Sequence, residues 1–437
     1  MKLQPSLGYR VRNGAGAEIA KEERSTLRGY RPGTFKALGK RNFRLYFVGQ
    51  IISNSGTWMQ MVSQSWLVLQ MTRSGVDLGL VSAAQFLPIL LLSPIGGVFV
   101  DRADKRRLLI GTQSAFAVFA LILGLVVVFH VVALWMVFVI AALMGLVNSI
   151  DTPARQSFVI EMVGPQDLTN AVSLNSVVMN SARVIGPSIA GAVIFKFGVG
   201  PNFIANSISY LAVIISLAML RKSELMPSRP TASRKGQLRE GFQYIRATPL
   251  LLVPLLIMVV VGTLAYEFQI SLPLFTTETF HLGAGSYAAI TASLGVGAVV
   301  GGLIAATFAR PSMRLLTIAA ISFGTLMVVM ALMPSFDTAM LATAFTGFAS
   351  ILFLSTANSL LQVTARPEMR GRVMALYTVA FLGTTPIGAP IVGFLSQQYG
   401  GRAGILVGGI ACVIAGGLGG ILMHTWSKRR EQTVAVT

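Results

Sequence analysis

Charge is what this 437-residue chain has least of: Asp, Glu, Lys and Arg together make up 12% of it. A soluble domain usually carries about a quarter of such residues. With 54% hydrophobic residues and a mean hydropathy of +0.70, there is too little polar side chain to cover a surface facing water. Cysteine is reduced to Cys412, which excludes an intrachain disulfide and a cysteine-built metal site. The three histidines, at 130, 281 and 424, lie far apart, so no metal, no cofactor and no enzymatic centre are expected. A G-x-x-x-x-G-K-[ST] phosphate loop is missing too, and GAGAE at 14–18 has no Lys-Ser/Thr after it. Energy for any work must then come from an ion gradient.

What the chain has instead is long apolar runs. Segments of ~20 residues, enough for a ~30 Å hydrocarbon core, recur along it. They fall near 43–70, 76–100, 108–129, 131–150, 169–195, 199–220, 250–276, 284–308, 313–333, 338–360, 372–396 and 403–425. The net charge of +19 is sorted by these segments. Of 35 Lys and Arg, 31 lie in the N-terminal arm, in the loops after even-numbered spans or in the C-terminal tail. The other side has Arg73, Lys196 and Arg402, and Arg183 lies inside a span. Such asymmetry places both termini in the cytoplasm. It also removes the nucleic-acid reading, which needs one basic face interleaved with aromatics. Residues 1–40 are basic and polar without an apolar run, so they read as a cytoplasmic arm near anionic headgroups rather than a signal peptide.

The longest polar interruption, 221–248, divides six spans from six. Its end, LREGFQYIR, reads as an amphipathic surface helix. The organisation is a basic arm (1–42), a six-helix bundle (43–220), a cytoplasmic linker (221–249), a second bundle (250–425) and a cytoplasmic tail (426–437). The halves are weakly alike at an offset of about 200 residues: Gly97 ends span 2 as Gly301 ends span 8, and GPSIAG (186–191) has a counterpart in GTTPIGAP (383–390). Glycine-rich runs in spans 8, 11 and 12 read as helix-packing faces.

The loop GGVFVDRADKRRLL (96–109) is the sharpest motif. Gly97 permits close helix contact, Asp101 can cap a neighbouring helix N-terminus, and Arg102, Lys105 and Arg106 anchor the loop. It resembles the signature loop of the major facilitator superfamily, with Asp104 where that family usually has Gly. The counterpart ARPSMR (309–314) lacks the Asp. Three further stretches resemble the enterobactin-exporter and macrolide-efflux branch: GTWMQMVSQSWLVL in span 1, 148–191 around span 5, and 358–390 before and within span 11. The resemblance covers 43–425. It implies an all-α membrane protein of twelve transmembrane helices in two pseudo-symmetric six-helix bundles. The signature loop would latch the outward-open state, and substrates would be drug-, macrolide- or siderophore-like.

Helical projection supplies candidate site residues. In span 5, Ser173, Ser176, Asn180, Arg183, Pro187, Ala190 and Gly191 share an arc of roughly 100°. Arg183 costs at least ~2.5 kcal/mol in lipid, so it should face a cavity or tie two helices. Gly186, Pro187 and Gly191 partly match the exporters' antiporter motif, and Pro187 bends the helix. The Arg that the resemblance would put in span 4 is absent, and Arg183 is its candidate replacement. In span 1, Gln50, Asn54, Thr57, Gln60 and Gln64 project within about 120°, either lining a cavity or bonding other helices. Glu267 in span 7 reads as the one carboxylate deep in a span and the proton-coupling candidate. Asp151 and Arg155 read as a gate-side ion pair at the inner end of span 4. The expected function is a secondary, proton-coupled exporter of small amphipathic molecules, monomeric in the cell membrane. An importer or lipid flippase is the alternative.

Overall fold

The computed structural model describes residues 35–226, 237–308 and 311–436, without the side chains of 93–98, 101, 237–239, 306–308 and 427–436. Helices dominate: α1 (Arg41–Thr72), α2 (Gly75–Arg102), α3 (Lys105–Val128), α4 (Leu134–Val163), α5 (Leu168–Phe197) and α6 (Gly200–Ala218) come first. A short linker helix (Gln237–Arg246) leads to α7, broken into α7a (Pro249–Leu264) and α7b (Phe268–Leu274). Then follow α8 (Ala284–Phe308), α9 (Met313–Leu332), α10 (Phe336–Thr364), α11 as α11a (Arg370–Leu382) and α11b (Thr385–Tyr399), and α12 (Ala403–Val436). Among the described residues, eleven spans are long and apolar enough to cross a membrane, α7 and α11 each counting once. The twelfth is α1, as long as the others but diluted by the amides and serines of its buried face.

Asn42 at the start of α1 and Arg221 after α6 bond reciprocally, side-chain amide to carbonyl at 2.9 Å and backbone N–H to side-chain oxygen at 3.0 Å. Residues 73–74 lie at the other end of α1, whose 32 residues rise ~48 Å. The long linker and the 73–76 turn thus occupy opposite faces. The linker face is termed the terminal face below. Connections on the opposite face are short: Arg73 and Ser74, Gly198 and Val199, and Gly400 to Arg402.

Packing repeats in the two halves. α2 lies on α4, α3 on α6 and α1 on α6; likewise α8 lies on α10, α9 on α12 and α7a on α12. The halves meet in two crossed pairs, α2 with α11b and α5 with α8. Small residues permit both. A side-chain carbon on Gly295 of α8 would lie 2.7 Å from the Arg183 carbonyl, and one on Gly191 of α5 would lie 2.6 Å from Ala288 Cβ. Gly75 and Gly79 of α2 press on the Gly393 and Ala389 carbonyls of α11b. Gln397 Oε1 accepts from Ser74 Oγ and from the Val76 N–H, both at 3.1 Å. Trp66 of α1 stacks on Tyr287 of α8 at 6.3 Å. These contacts seal the face opposite the termini.

The sequence missed three features. Spans 7 and 11 are interrupted, α4 runs thirteen residues past the expected end at 150, and α12 continues to Val436 through the expected tail.

Candidate functional site

Two cavities open between the helices. The first, of 350 Å³, is walled by α1 to α6 with Gln269 from α7b. The second, of 250 Å³, lies between the halves, where Trp58, Phe86 and Arg183 face Tyr266, Glu267 and Phe381. Met61, Ser82 and Gln269 line both, so the two cavities adjoin there.

The first cavity is lined by amides, and most are held by other polar groups. Asn206 of α6 donates to Gln60 Oε1 at 2.6 Å, Gln60 Nε2 points at Met144 Sδ (3.2 Å), and Gln64 donates to Gln85 (3.4 Å). At its terminal end stands Asp151, 2% exposed. Its Oδ1 accepts from Thr112 Oγ1 at 2.6 Å and Gln113 Nε2 at 2.9 Å. Its Oδ2 accepts from Arg155 Nη2 at 2.5 Å and Nε at 3.2 Å. Arg155 Nη1 also donates to Gln50 Oε1, which accepts from Asn54 Nδ2 at 3.0 Å as well. Because α4 extends to Val163, this pair is a buried element in mid-helix and not a fixture of the helix end. It corrects two expectations. Glu267 is not the one deep carboxylate, and α4 does carry an arginine.

The second cavity is apolar apart from its ends. The Arg183 guanidinium lies over the Trp58 ring, 5.2 Å from its centroid, and its Nε has no hydrogen-bond partner. Among the described residues no carboxylate pairs with it. Glu267 occupies the break between α7a and α7b, 4% exposed, with Oε1 unbonded. Thr385, at the start of α11b, lines the cavity beside it. The two breaks lie together: Gly388 of α11b packs on the Thr263 carbonyl, and a carbon on Gly262 would lie 2.8 Å from the Ala380 carbonyl.

The residues named from sequence therefore separate. Asn54, Gln60, Gln64, Asp151 and Arg155 line the first cavity, and Arg183 and Glu267 the second. Gln50 is buried behind the wall, where it holds Arg155. Ser176 and Asn180 line neither cavity: Ser176 Oγ donates to the Val172 carbonyl and Asn180 Nδ2 to the Ser176 carbonyl. The α5 surface that does line them carries Asn175, Met179 and Arg183. Gly186 packs against Trp58 of α1, Gly191 against α8, and Pro187 is buried.

In the loop 96–109, the Gly97 and Asp101 side-chain positions lie outside the described residues, and Arg102 is exposed. Lys105 pairs with buried Glu161 of α4 at 2.6 Å, which the sequence did not point to. Arg106 donates to the Leu217 and Ala218 carbonyls, at 2.6 and 2.8 Å, capping α6. Asp104 is the N-cap of α3, accepting from the Arg107 N–H at 3.1 Å, so a side chain replaces the turn-forming Gly to good effect.

Two six-helix halves, related by repeated packing and enclosing polar and charged side chains between them, define a transporter of the major facilitator type. The model of the transmembrane secretion effector family matches residues 32–433, and the chain belongs to that family. It is 30% identical over 243 residues to the staphyloferrin A transporter of Staphylococcus aureus, covering 54% of this chain and 60% of that one. It is 23% identical to macrolide efflux protein A of Streptococcus pyogenes (86% and 94% covered). It is 24% identical to the enterobactin exporter of Citrobacter koseri (89% and 93% covered). Among solved structures, a bacterial homologue of the human lysosomal transporter Spinster, inward-facing and unoccupied, superposes with a TM-score of 0.72 at 14% identity, covering 89% of this chain and 98% of that one.

Proposed function

We propose that this transporter exports small amphipathic molecules by alternating access, driven by protons taken up at Glu267. The observation that carries this reading is the second cavity. It is walled by both halves, is apolar and aromatic along its length, and has one cation and one acid facing it without an ion pair between them. A buried acid at a break in a membrane helix, close to where substrate would lie, is placed to exchange its proton against substrate. The sealed face opposite the termini supports a state open toward the terminal face, which the sorting of basic residues favours as the cytoplasmic one. Relatives named for efflux and for siderophore export favour the outward direction.

The test is transport in inside-out vesicles by purified, reconstituted protein over a panel of amphipathic compounds, with and without an imposed pH gradient. Accumulation that depends on the gradient is expected for part of the panel. Transport in the opposite sense would replace the reading with import, and facilitated movement indifferent to the gradient would remove the coupling.

A further inference from the structure

The Asp151–Arg155 pair does more than hold α4 in place, because its two members are not equally used. Every acceptor position that the fold aims at Asp151 is filled: Thr112 and Gln113 on one oxygen, and two nitrogens of Arg155 on the other. The carboxylate is 2% exposed and has nothing left to offer a ligand. Arg155 has five N–H groups. Two go to Asp151 and one to Gln50, which leaves two without an acceptor among the described residues. Its side chain is 24% exposed, and it lines the 350 Å³ cavity. No other Asp, Glu, Lys or Arg lines that cavity. The pair is neutral in formal charge, yet the face it turns to the cavity is cationic, held in a fixed orientation by a buried anchor.

The surrounding wall fits the same chemistry. Eight Asn and Gln side chains line the first cavity and offer donors and acceptors without competing charge. Beyond the shared lining of Met61, Ser82 and Gln269, the second cavity is walled by Trp58, Phe86, Tyr266, Phe268 and Phe381. We infer that the two cavities are subsites for one molecule, an arene-bearing carboxylic acid. Its carboxylate sits on the free N–H groups of Arg155, and its aromatic body lies in the second cavity. A planar fork of guanidinium donors suits a carboxylate, whereas a compact ammonium in its place would supply charge without the matching geometry. Asp151 is then a positioning residue and Arg155 the specificity-determining one. This rests on the exporter reading for the direction of movement, though not for binding.

The experiment measures equilibrium binding to the purified protein in nanodiscs for a series of arylalkyl carboxylates, their methyl esters and the matching primary amines. In the wild type, the acids are expected to bind about tenfold or more tighter than the esters, with the amines weakest, in line with a hydrogen bond to a charged group. Arg155→Gln should bring acids and esters to within about twofold of each other. Arg155→Lys, which keeps the charge and guards against a folding artefact, should restore part of the difference. Arg183→Gln should leave the preference for acids in place. Esters or amines that bind as tightly as acids in the wild type, no acid that binds at all, a preference that survives Arg155→Gln, or one that vanishes in Arg183→Gln would each overturn the subsite. Gradient-driven transport of esters and amines without preference for acids sinks the carboxylate site and leaves the exporter standing. Tight acid binding without transport under any gradient does the reverse.

Discussion

Removing Asp151 should be among the most costly single changes in the N-terminal half, and its magnitude follows from its partners. Alanine there removes two hydrogen bonds to the carboxylate, one from Gln113, whose donor is orphaned, and one from Thr112, which keeps the Leu109 carbonyl at 3.1 Å; together they contribute about 2 kcal/mol. It also leaves the Arg155 cation without its counter-charge. Breaking a fully buried pair costs about 3–5 kcal/mol. Arg155 is 24% exposed and can recruit water from the cavity, so roughly 2 kcal/mol is the fitting share. The sum is ~4 kcal/mol for Asp151→Ala. Asp151→Asn keeps one oxygen acceptor and should lose about half of that. Removing both charges, with Leu at 151 and Met at 155, should lie closer to wild type than Asp151→Ala, because no lone charge remains. At about 2–4 °C per kcal/mol for a unit of this size, Asp151→Ala should lower the apparent melting temperature by roughly 10 °C. The assay is the fraction of monodisperse protein that survives a temperature ramp in size-exclusion chromatography. An Asp151→Ala variant within 2 °C of wild type (~0.5–1 kcal/mol), or a double variant less stable than it, would refute the reasoning.

Glu267→Gln imitates the protonated acid: gradient-driven accumulation should be lost while gradient-free substrate exchange survives, and full gradient dependence in the variant removes Glu267 from coupling. Gly393→Val places a side chain against the Gly75 carbonyl; the seal cannot then form, and an engineered cysteine near Ser74 should react several-fold faster with a membrane-impermeant maleimide. That measurement needs Cys412 left in place only as a silent residue, since it is fully buried. Asp101→Asn should leave expression and insertion unchanged and slow transport in vesicles, and equal rates at equal protein amount would dismiss the latch implied by the signature loop.

The apolar runs and the sorting of basic residues made the helices legible, since both follow from the bilayer's thickness and charge. Among the described residues eleven helices are long and apolar enough to cross a bilayer, and the run at 43–70 corresponds to α1 despite its amides. The break in α7 was not legible, whereas α11 breaks at Gly383 and Thr384, just before Pro386, residue types that mark an interruption. No proline or glycine falls at Ala265 to Glu267, and the interruption lies where Gly262 and Gly388 pack closely against the partner helix's carbonyls, a tertiary feature. The extent of α4 was hidden because Asp151, Arg155 and Glu161 look like the polar end of a span; their burial depends on Thr112, Gln113, Gln50 and Lys105, drawn from other helices. In the site, a 100° projection put Arg183 on the side of α5 that lines a cavity and missed the neighbouring Asn175. Ser176 and Asn180 share an arc with Arg183, yet their side chains bond to their own helix. Polarity along a helix marks groups that need partners, and it does not say whether the partner is the helix itself, a neighbour or a ligand.

The seal on the face opposite the termini has a consequence for how the transporter responds to its surroundings. It is made of backbone pressed on glycine, the Trp66–Tyr287 stack and the Gln397 hydrogen bonds. None of the ion pairs between described residues joins the two halves. Contacts of this kind carry no net charge to screen and no group that titrates near neutrality. Separation of the halves on that side is therefore expected to depend little on ionic strength. A change of salinity should leave this face closed as tightly as before, and any salt effect on the protein should come from charged groups elsewhere.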